Sequence, residues 1–103
     1  MYNNKLEDKS MIKVFINRKV PAELEPQYTA IAKETLQASM RSPGFIKGEV
    51  MHDINDPEHR LVIATYSTLA DWERWYQSQE RLELMNKLRP MLERDELIKI
   101  YEH

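Results

Sequence analysis

The stretch RLVIATYSTLADWERW, residues 60–75, changes its hydrophobic pattern near the middle. Its first half, RLVIATYS (60–67), is rich in β-branched and aromatic residues and predicts a strand. Ser67 or Thr68 can cap a following helix, because a hydroxyl oxygen accepts a hydrogen bond from an early backbone N–H. Asp71 would then lie near the positive end of that helix. The stretch therefore predicts a strand that leads directly into a helix.

Another strand precedes this one. FIKGEVMHDI (45–54) has the composition of a strand, and NDPEH (55–59) is typical of a turn. Because the two strands are so close in sequence, an antiparallel hairpin is their simplest pairing.

The N-terminal half predicts one more strand and a long helix. MIKVFINRKV (11–20) has strand composition and ends at Pro21. AELEPQYTAIAKETLQASMR (22–41) repeats its apolar residues at helical spacing. SPG (42–44) ends this helix, because Pro43 disfavours helical geometry at the residue before it.

The C-terminal part completes the pattern. The second helix is expected to break near Ser78, and a further helical piece would place Leu82, Met85 and Leu88 on one side. ELIKIYEH (96–103) alternates enough to predict a last strand. The order β-α-β-β-α-β is that of an α+β, ferredoxin-like fold, in which an antiparallel four-stranded sheet carries its helices on one face.

The first strand is apolar on both faces. One face carries Ile12, Val14 and Ile16, and we expect Phe15 and Asn17 to face the helices from the other. Burying side chains of this kind contributes roughly 1.5–3 kcal/mol each, so the face away from the helices needs a cover. A second copy of the sheet is the simplest cover, which predicts a homodimer packed through its sheet faces.

The composition fits one globular domain. The chain has 103 residues, 42% hydrophobic and 31% charged, a balance that allows a single packed core. We expect residues 1–10 to form a flexible leader and residues 11–103 to form the domain.

Several classes of function are disfavoured. A net charge of −2 with interspersed Lys and Arg argues against nucleic-acid binding. No apolar run is long enough for a membrane helix, and MYNNKLEDKS (1–10) lacks the apolar part of a signal peptide, so a cytoplasmic location is expected. The absence of cysteine excludes disulfides and thiolate sites, and the three scattered histidines do not indicate a metal centre.

The aromatic residues of the second helix raise a question, because they stand in a polar segment. At 100° per residue Trp72 and Tyr76 share a stripe with Leu69, and this stripe predicts core packing. Trp75 lies at its margin and can close one wall of a ligand cleft between helix and sheet.

Four motifs together resemble a known family. They are VFINRKV (14–20), SPGFIKGEVMHD (42–53), RLVIATYSTLADWERW (60–75) and SQER (78–81). In this order and at these spacings the chain resembles, over about residues 11–101, an antibiotic biosynthesis monooxygenase (ABM) domain of the dimeric α+β barrel superfamily. The resemblance implies a dimeric α+β barrel.

It also implies an activity: oxidation of a small aromatic or quinol-like compound by O2, with neither metal nor flavin. Asn17 and Trp75 would then be the catalytic residues, because an amide N–H can stabilise negative charge on a substrate carbonyl or on a reduced oxygen species. Phe15, Trp72 and Tyr66 would shape the substrate pocket.

Three polar residues are candidates for a chemical role in the same pocket. His52 and Tyr66 lie on neighbouring predicted strands and can act as base or hydrogen-bond partner, although His52 also fits a surface or interface position. Arg81 can orient an anionic substrate, or be an ordinary ion-paired helix residue.

Two other functions stay open. The heme-degrading branch of the family has an asparagine and a tryptophan that match Asn17 and Trp75. The histidine that binds iron in that branch falls near Met85, where this chain has no histidine. Heme is therefore a secondary alternative. The other alternative is a small-ligand-binding or stress-related dimer without turnover. A void between Trp75 and either Leu36 or Met40 would indicate an enzyme, whereas solid packing there would indicate a scaffold without turnover.

Overall fold

The computed structural model describes residues 10–103, so the predicted leader lies outside the described residues except for Ser10. Within these described residues four strands and three α-helices follow one another, with single 3₁₀ turns at Ala22–Leu24 and Arg89–Met91. The elements are β1 (Ile12–Lys19), α1 (Glu25–Met40), β2 (Phe45–Asp53), β3 (Asp56–Tyr66), α2 (Leu69–Tyr76), α3 (Gln79–Leu88) and β4 (Leu97–Glu102).

The strands form one antiparallel sheet in the order β2-β3-β1-β4. At the centre of the sheet Val14 lies opposite Ala64 on one side and Ile100 on the other. This topology confirms the predicted ferredoxin-like fold.

The helices cover the face of β1 that carries Ile12, Val14 and Ile16. These three residues are buried in one core cluster with Trp72 and Trp75. The expectation that they face away from the helices was wrong. Alternation separates the two faces of a strand but does not say which one the helices cover when both are apolar.

Phe15 and Asn17 therefore lie on the opposite face, which we call the open face. The open face also carries Leu61, Met51 and Tyr101, which are half-buried or exposed. Phe15 packs edge-on against Tyr101, with ring centroids 5.2 Å apart.

The helix boundaries follow the cap predicted at Ser67 or Thr68 and the break predicted near Ser78. Thr68 accepts a hydrogen bond from the backbone N–H of Asp71, and Ser78 accepts one from Arg81, so α2 and α3 are separately capped. The phase of α3 differs from the prediction: Leu82 is 47% exposed, and Leu84 is buried in its place.

The β2–β3 hairpin is tighter than the sequence pattern indicates. The turn comprises residues 54–55, and β3 begins at Asp56 rather than at Arg60. Asp53 holds the turn by accepting a hydrogen bond from the backbone N–H of Asn55 at 2.8 Å. The longer strand extends the sheet far enough to bring His59 opposite Lys19.

Candidate functional site

A cavity of about 300 Å³ lies between the helices and the sheet. Ligand sites in proteins have volumes of roughly 300–1000 Å³, so this one suits a small molecule. Trp72, Trp75 and Leu36 form part of its apolar wall, and Arg18, Arg60 and Arg81 also line it. A void beside Trp75 and Leu36 is the feature expected of an enzyme rather than of a scaffold without turnover.

The two tryptophans are both buried, at 3% and 5% exposure, and both line the cavity. Each of the two tryptophans therefore combines core packing with a position in the cavity wall. Tyr76 is 43% exposed, so its predicted core position was wrong. It packs against Trp72 instead, and the guanidinium of Arg81 lies 4.6 Å from its ring centre.

The polar end of the cavity is built on a buried ion triad. Glu96 accepts hydrogen bonds from Arg18 and from Arg81, and the three side chains are almost fully buried. Arg18 also donates to the hydroxyl of Tyr28 at 3.1 Å. Arg81 is thus an ion-paired helix residue, which was one of the two expectations for it, and it also lines the cavity.

The triad stabilises its own charges. Burial opposes ionisation of Glu96, but the positive charges and hydrogen bonds of Arg18 and Arg81 outweigh it and lower the pKa of the carboxyl. Burial likewise opposes the charge of Arg18, but Tyr28 and Glu96 outweigh it and raise the pKa of the guanidinium. Arg18 therefore remains cationic beside the cavity.

Tyr66 is a structural residue in this fold. Its hydroxyl bonds the side chains of Ser39 and Ser42 at 2.8 and 2.9 Å, and its ring packs edge-on against Trp72. Burial raises the pKa of the phenol, against the opposing effect of the two serine hydrogen bonds. Tyr66 packs against the wall residue Trp72 without lining the cavity itself, and it is a poor candidate for a base.

His52 lies at the exposed mouth of the cavity, opposite Arg60 in the sheet register. The pairing places it on the helix-covered face, which the sequence left open. A general base must lie within hydrogen-bond reach of the substrate proton that it removes. From the mouth of the cavity His52 can reach only the outer end of a ligand.

Asn17 is separated from Trp75 by the sheet. Its side-chain oxygen lies 2.8 Å from Nε2 of His59, whose Nδ1 lies 3.2 Å from the carboxylate of Asp53. Asn17 and Phe15 instead line a shallower pocket of about 450 Å³ on the open face. The structure therefore does not bring the two predicted catalytic residues together, nor Phe15 to the cavity.

Sequence reasoning missed three charged residues of the site. Arg18 continues the alternation of Ile12, Val14 and Ile16, a signal that could have placed it beside them once the face was known. Glu96 alternates in the same way with Ile98 and Ile100 at the start of the predicted last strand. Arg60 was missed because the third strand was expected to begin at this residue, whereas the strand begins at Asp56.

The position of the expected heme ligand does not fit iron binding. Met85 is fully buried in a second core cluster with Val20, Tyr28 and Leu88 and does not line the cavity. Within residues 10–103 no three His, Cys, Asp or Glu side chains cluster in a way that could hold a metal ion. No helix in the same range is long and apolar enough to span a membrane.

Comparison with known proteins agrees with this architecture. The sequence profile of the antibiotic biosynthesis monooxygenase family matches residues 11–87. The comparison with curated proteins finds no match.

Solved structures share the fold at low sequence identity. A conserved protein of Methanosarcina mazei is 18% identical, with a TM-score of 0.84, and the match covers 90% of this chain and 92% of the other. SnoaB, a cofactor-independent oxygenase of Streptomyces nogalater, is 13% identical, with a TM-score of 0.81 and coverages of 89% and 91%. The chain is thus similar in fold to an oxygenase that needs no cofactor.

Proposed function

Because the chain belongs to the antibiotic biosynthesis monooxygenase family, we propose that it oxidises a small aromatic or quinol-like compound with O2, using neither metal nor flavin. The observation that carries the proposal is the cavity between helices and sheet, with an aromatic wall and buried cations at one end. The fold of SnoaB supports the same reaction class.

The reaction needs no external reductant if the substrate is electron-rich. Oxidation of an aryl methylene to a ketone consumes one O2, places one oxygen atom in the product and releases the other as water. The four electrons come from the methylene carbon, whose two C–H bonds are replaced by C=O. The protein then has to favour the deprotonated substrate, orient it and exclude water.

The cavity residues suit these tasks. Trp72 and Trp75 offer flat surfaces against which an aromatic ring can be held. The cationic side chains of Arg18 and Arg81 lie in a buried setting, where they stabilise a phenolate or a developing oxyanion more strongly than in water.

Replacement of Trp75 tests this assignment against that of Asn17. We expect Trp75→Phe to lower kcat/KM for oxygen uptake by roughly tenfold or more, because a smaller ring positions the substrate less well. Asn17→Ala should change kcat/KM by less than about twofold, because Asn17 bonds His59 on the open face. An oxygen electrode with a panel of hydroquinones and anthrones, in buffer containing a chelator, measures both.

Each outcome has a clear meaning. A large loss in Asn17→Ala with normal turnover in Trp75→Phe would place the site on the open face. No oxygen uptake by the wild type on any compound would remove the enzyme proposal.

A homodimer through the open face is part of the proposal. Met51, Leu97 and Tyr101 expose about half of their surface on that face, beside the half-buried Phe15 and Leu61. Several exposed apolar side chains on one face are typical of an interaction surface, and a self-complementary contact between two sheets would cover them.

The second candidate function is ligand binding without turnover. It is favoured by the absence, among cavity-lining residues of the described chain, of any carboxylate that could act as a base.

Hemin titration tests the remaining alternative, heme binding. Since Met85 does not face the cavity, we expect no Soret band of specifically ligated heme.

A further inference from the structure

One row of the sheet concentrates positive charge on the helix-covered face. Arg18 on β1 lies opposite Arg60 on β3, and Arg60 lies opposite His52 on β2. We call these three residues the basic row. Like charges directly opposite each other in a sheet are destabilising, so the pairing of Arg18 with Arg60 favours a nearby anion.

Only part of that charge is neutralised from within. Glu96 pairs with Arg18 and with Arg81, which leaves one carboxylate for two buried guanidinium groups. Arg60 is 8% exposed and donates through Nε to the carbonyl of Pro57 at 3.2 Å. Within the described residues, the half-exposed carboxylate of Glu25 lies 4.0 Å from the guanidinium of Arg60, which makes Glu25 a weak counter-ion.

The cavity contains no acid to compensate. Among the residues of the described chain that line it, none is Asp or Glu, whereas Arg18, Arg60, Arg81 and Lys33 are basic. A buried cation without a close partner is energetically costly, and a bound anion would relieve that cost. The cavity therefore has an apolar aromatic part and a cationic end whose charge Glu96 and the half-exposed Glu25 offset only in part.

We propose that the cavity binds an aromatic carboxylate, whose carboxylate is held by Arg60 and whose ring lies against Trp72 and Trp75. The planar guanidinium can donate two parallel hydrogen bonds to a carboxylate, which gives orientation as well as affinity. His52 at the mouth can donate a further bond from its neighbouring register position. The inference rests on the proposed function only in taking this cavity as the substrate site.

The test compares two ligands that differ in charge and little else. Titration calorimetry without turnover, in nitrogen-purged buffer, measures the affinities of 2-naphthoate and of the neutral 2-naphthamide. We expect the wild type to bind 2-naphthoate roughly tenfold or more tightly than 2-naphthamide, in keeping with a charge-assisted hydrogen-bond pair. Equal affinities for the two would overturn the inference.

Variants locate the effect. Arg60→Gln should reduce the preference for 2-naphthoate to less than about threefold, and Arg60→Lys, which keeps the charge, should retain part of it. Arg89→Gln, at an exposed site outside the cavity, should leave the preference unchanged. A full preference that persists in Arg60→Gln would contradict the role of Arg60, and the lysine variant provides the comparison if the glutamine variant does not fold.

Failure of this inference is distinguishable from failure of the proposed function. Oxygen uptake on neutral quinols together with equal affinities for the two probes would remove the carboxylate specificity and keep the oxygenase. A strong preference for 2-naphthoate without oxygen uptake on any compound would support the binding site and remove the oxygenase.

Discussion

Glu96→Gln should lower the free energy of unfolding by about 3–5 kcal/mol, the loss typical when one partner of a buried ion pair is removed. The substitution leaves Arg18 and Arg81 without the carboxylate that both of them bind. Urea denaturation followed by circular dichroism measures the change. The matched control is Glu80→Gln, which breaks an exposed ion pair with Arg41 and should cost less than about 1 kcal/mol.

The same variant has a distinct pH dependence. The pKa of Glu96 is lower in the folded protein than its ordinary value of 4.5, because Arg18 and Arg81 outweigh the effect of burial. Its contribution to stability is therefore complete above pH 4.5 and is lost as the pH falls through the folded-state pKa. The wild type should lose stability more steeply than Glu96→Gln below this pH. Parallel curves, or equal losses in Glu96→Gln and Glu80→Gln, would contradict the buried triad.

The second large effect concerns two adjacent residues of β1. Ile16→Asp should unfold the domain, because a carboxylate in the core costs roughly 5 kcal/mol or more, comparable with the 5–15 kcal/mol that stabilise a typical domain. Phe15→Asp places the same charge on the open face and should leave a folded protein. Circular dichroism reports the folding of each variant.

Phe15→Asp also tests the proposed dimer. Two carboxylates brought into a sheet-to-sheet contact repel each other and lose apolar contact, so sedimentation should show the variant as a single folded subunit. The wild type should sediment as a dimer. A folded Ile16→Asp with an unfolded Phe15→Asp would reverse the two faces, and an unchanged dimer in Phe15→Asp would exclude the open face as the interface.

The element order could be predicted from local signals. Thr68 accepts the expected capping hydrogen bond, the helix breaks at Ser78 as expected, and Pro43 lies just after the first helix. The strands are rich in β-branched residues and have turn residues at their ends. These signals depend on a few neighbouring residues, so a single sequence contains them.

Prediction of the site required information on tertiary packing that local sequence patterns lack. β1 is apolar on both faces, and only the tertiary packing shows that Ile16 rather than Phe15 faces the helices. That one choice moved Asn17 away from Trp75 and brought Arg18 to the cavity. Glu96 could not be distinguished from a surface acid, because its two partners are distant in sequence.

The location of the reaction is tested most directly by filling each pocket in turn and measuring oxygen uptake. Leu36→Trp puts a large ring into the cavity between helices and sheet, whereas Leu61→Trp puts the same ring into the pocket of the open face. We predict that Leu36→Trp loses oxygen uptake on a substrate of the wild type while remaining folded, and that Leu61→Trp keeps it. Full uptake by a folded Leu36→Trp, with loss in Leu61→Trp, would contradict the cavity as the site of oxidation.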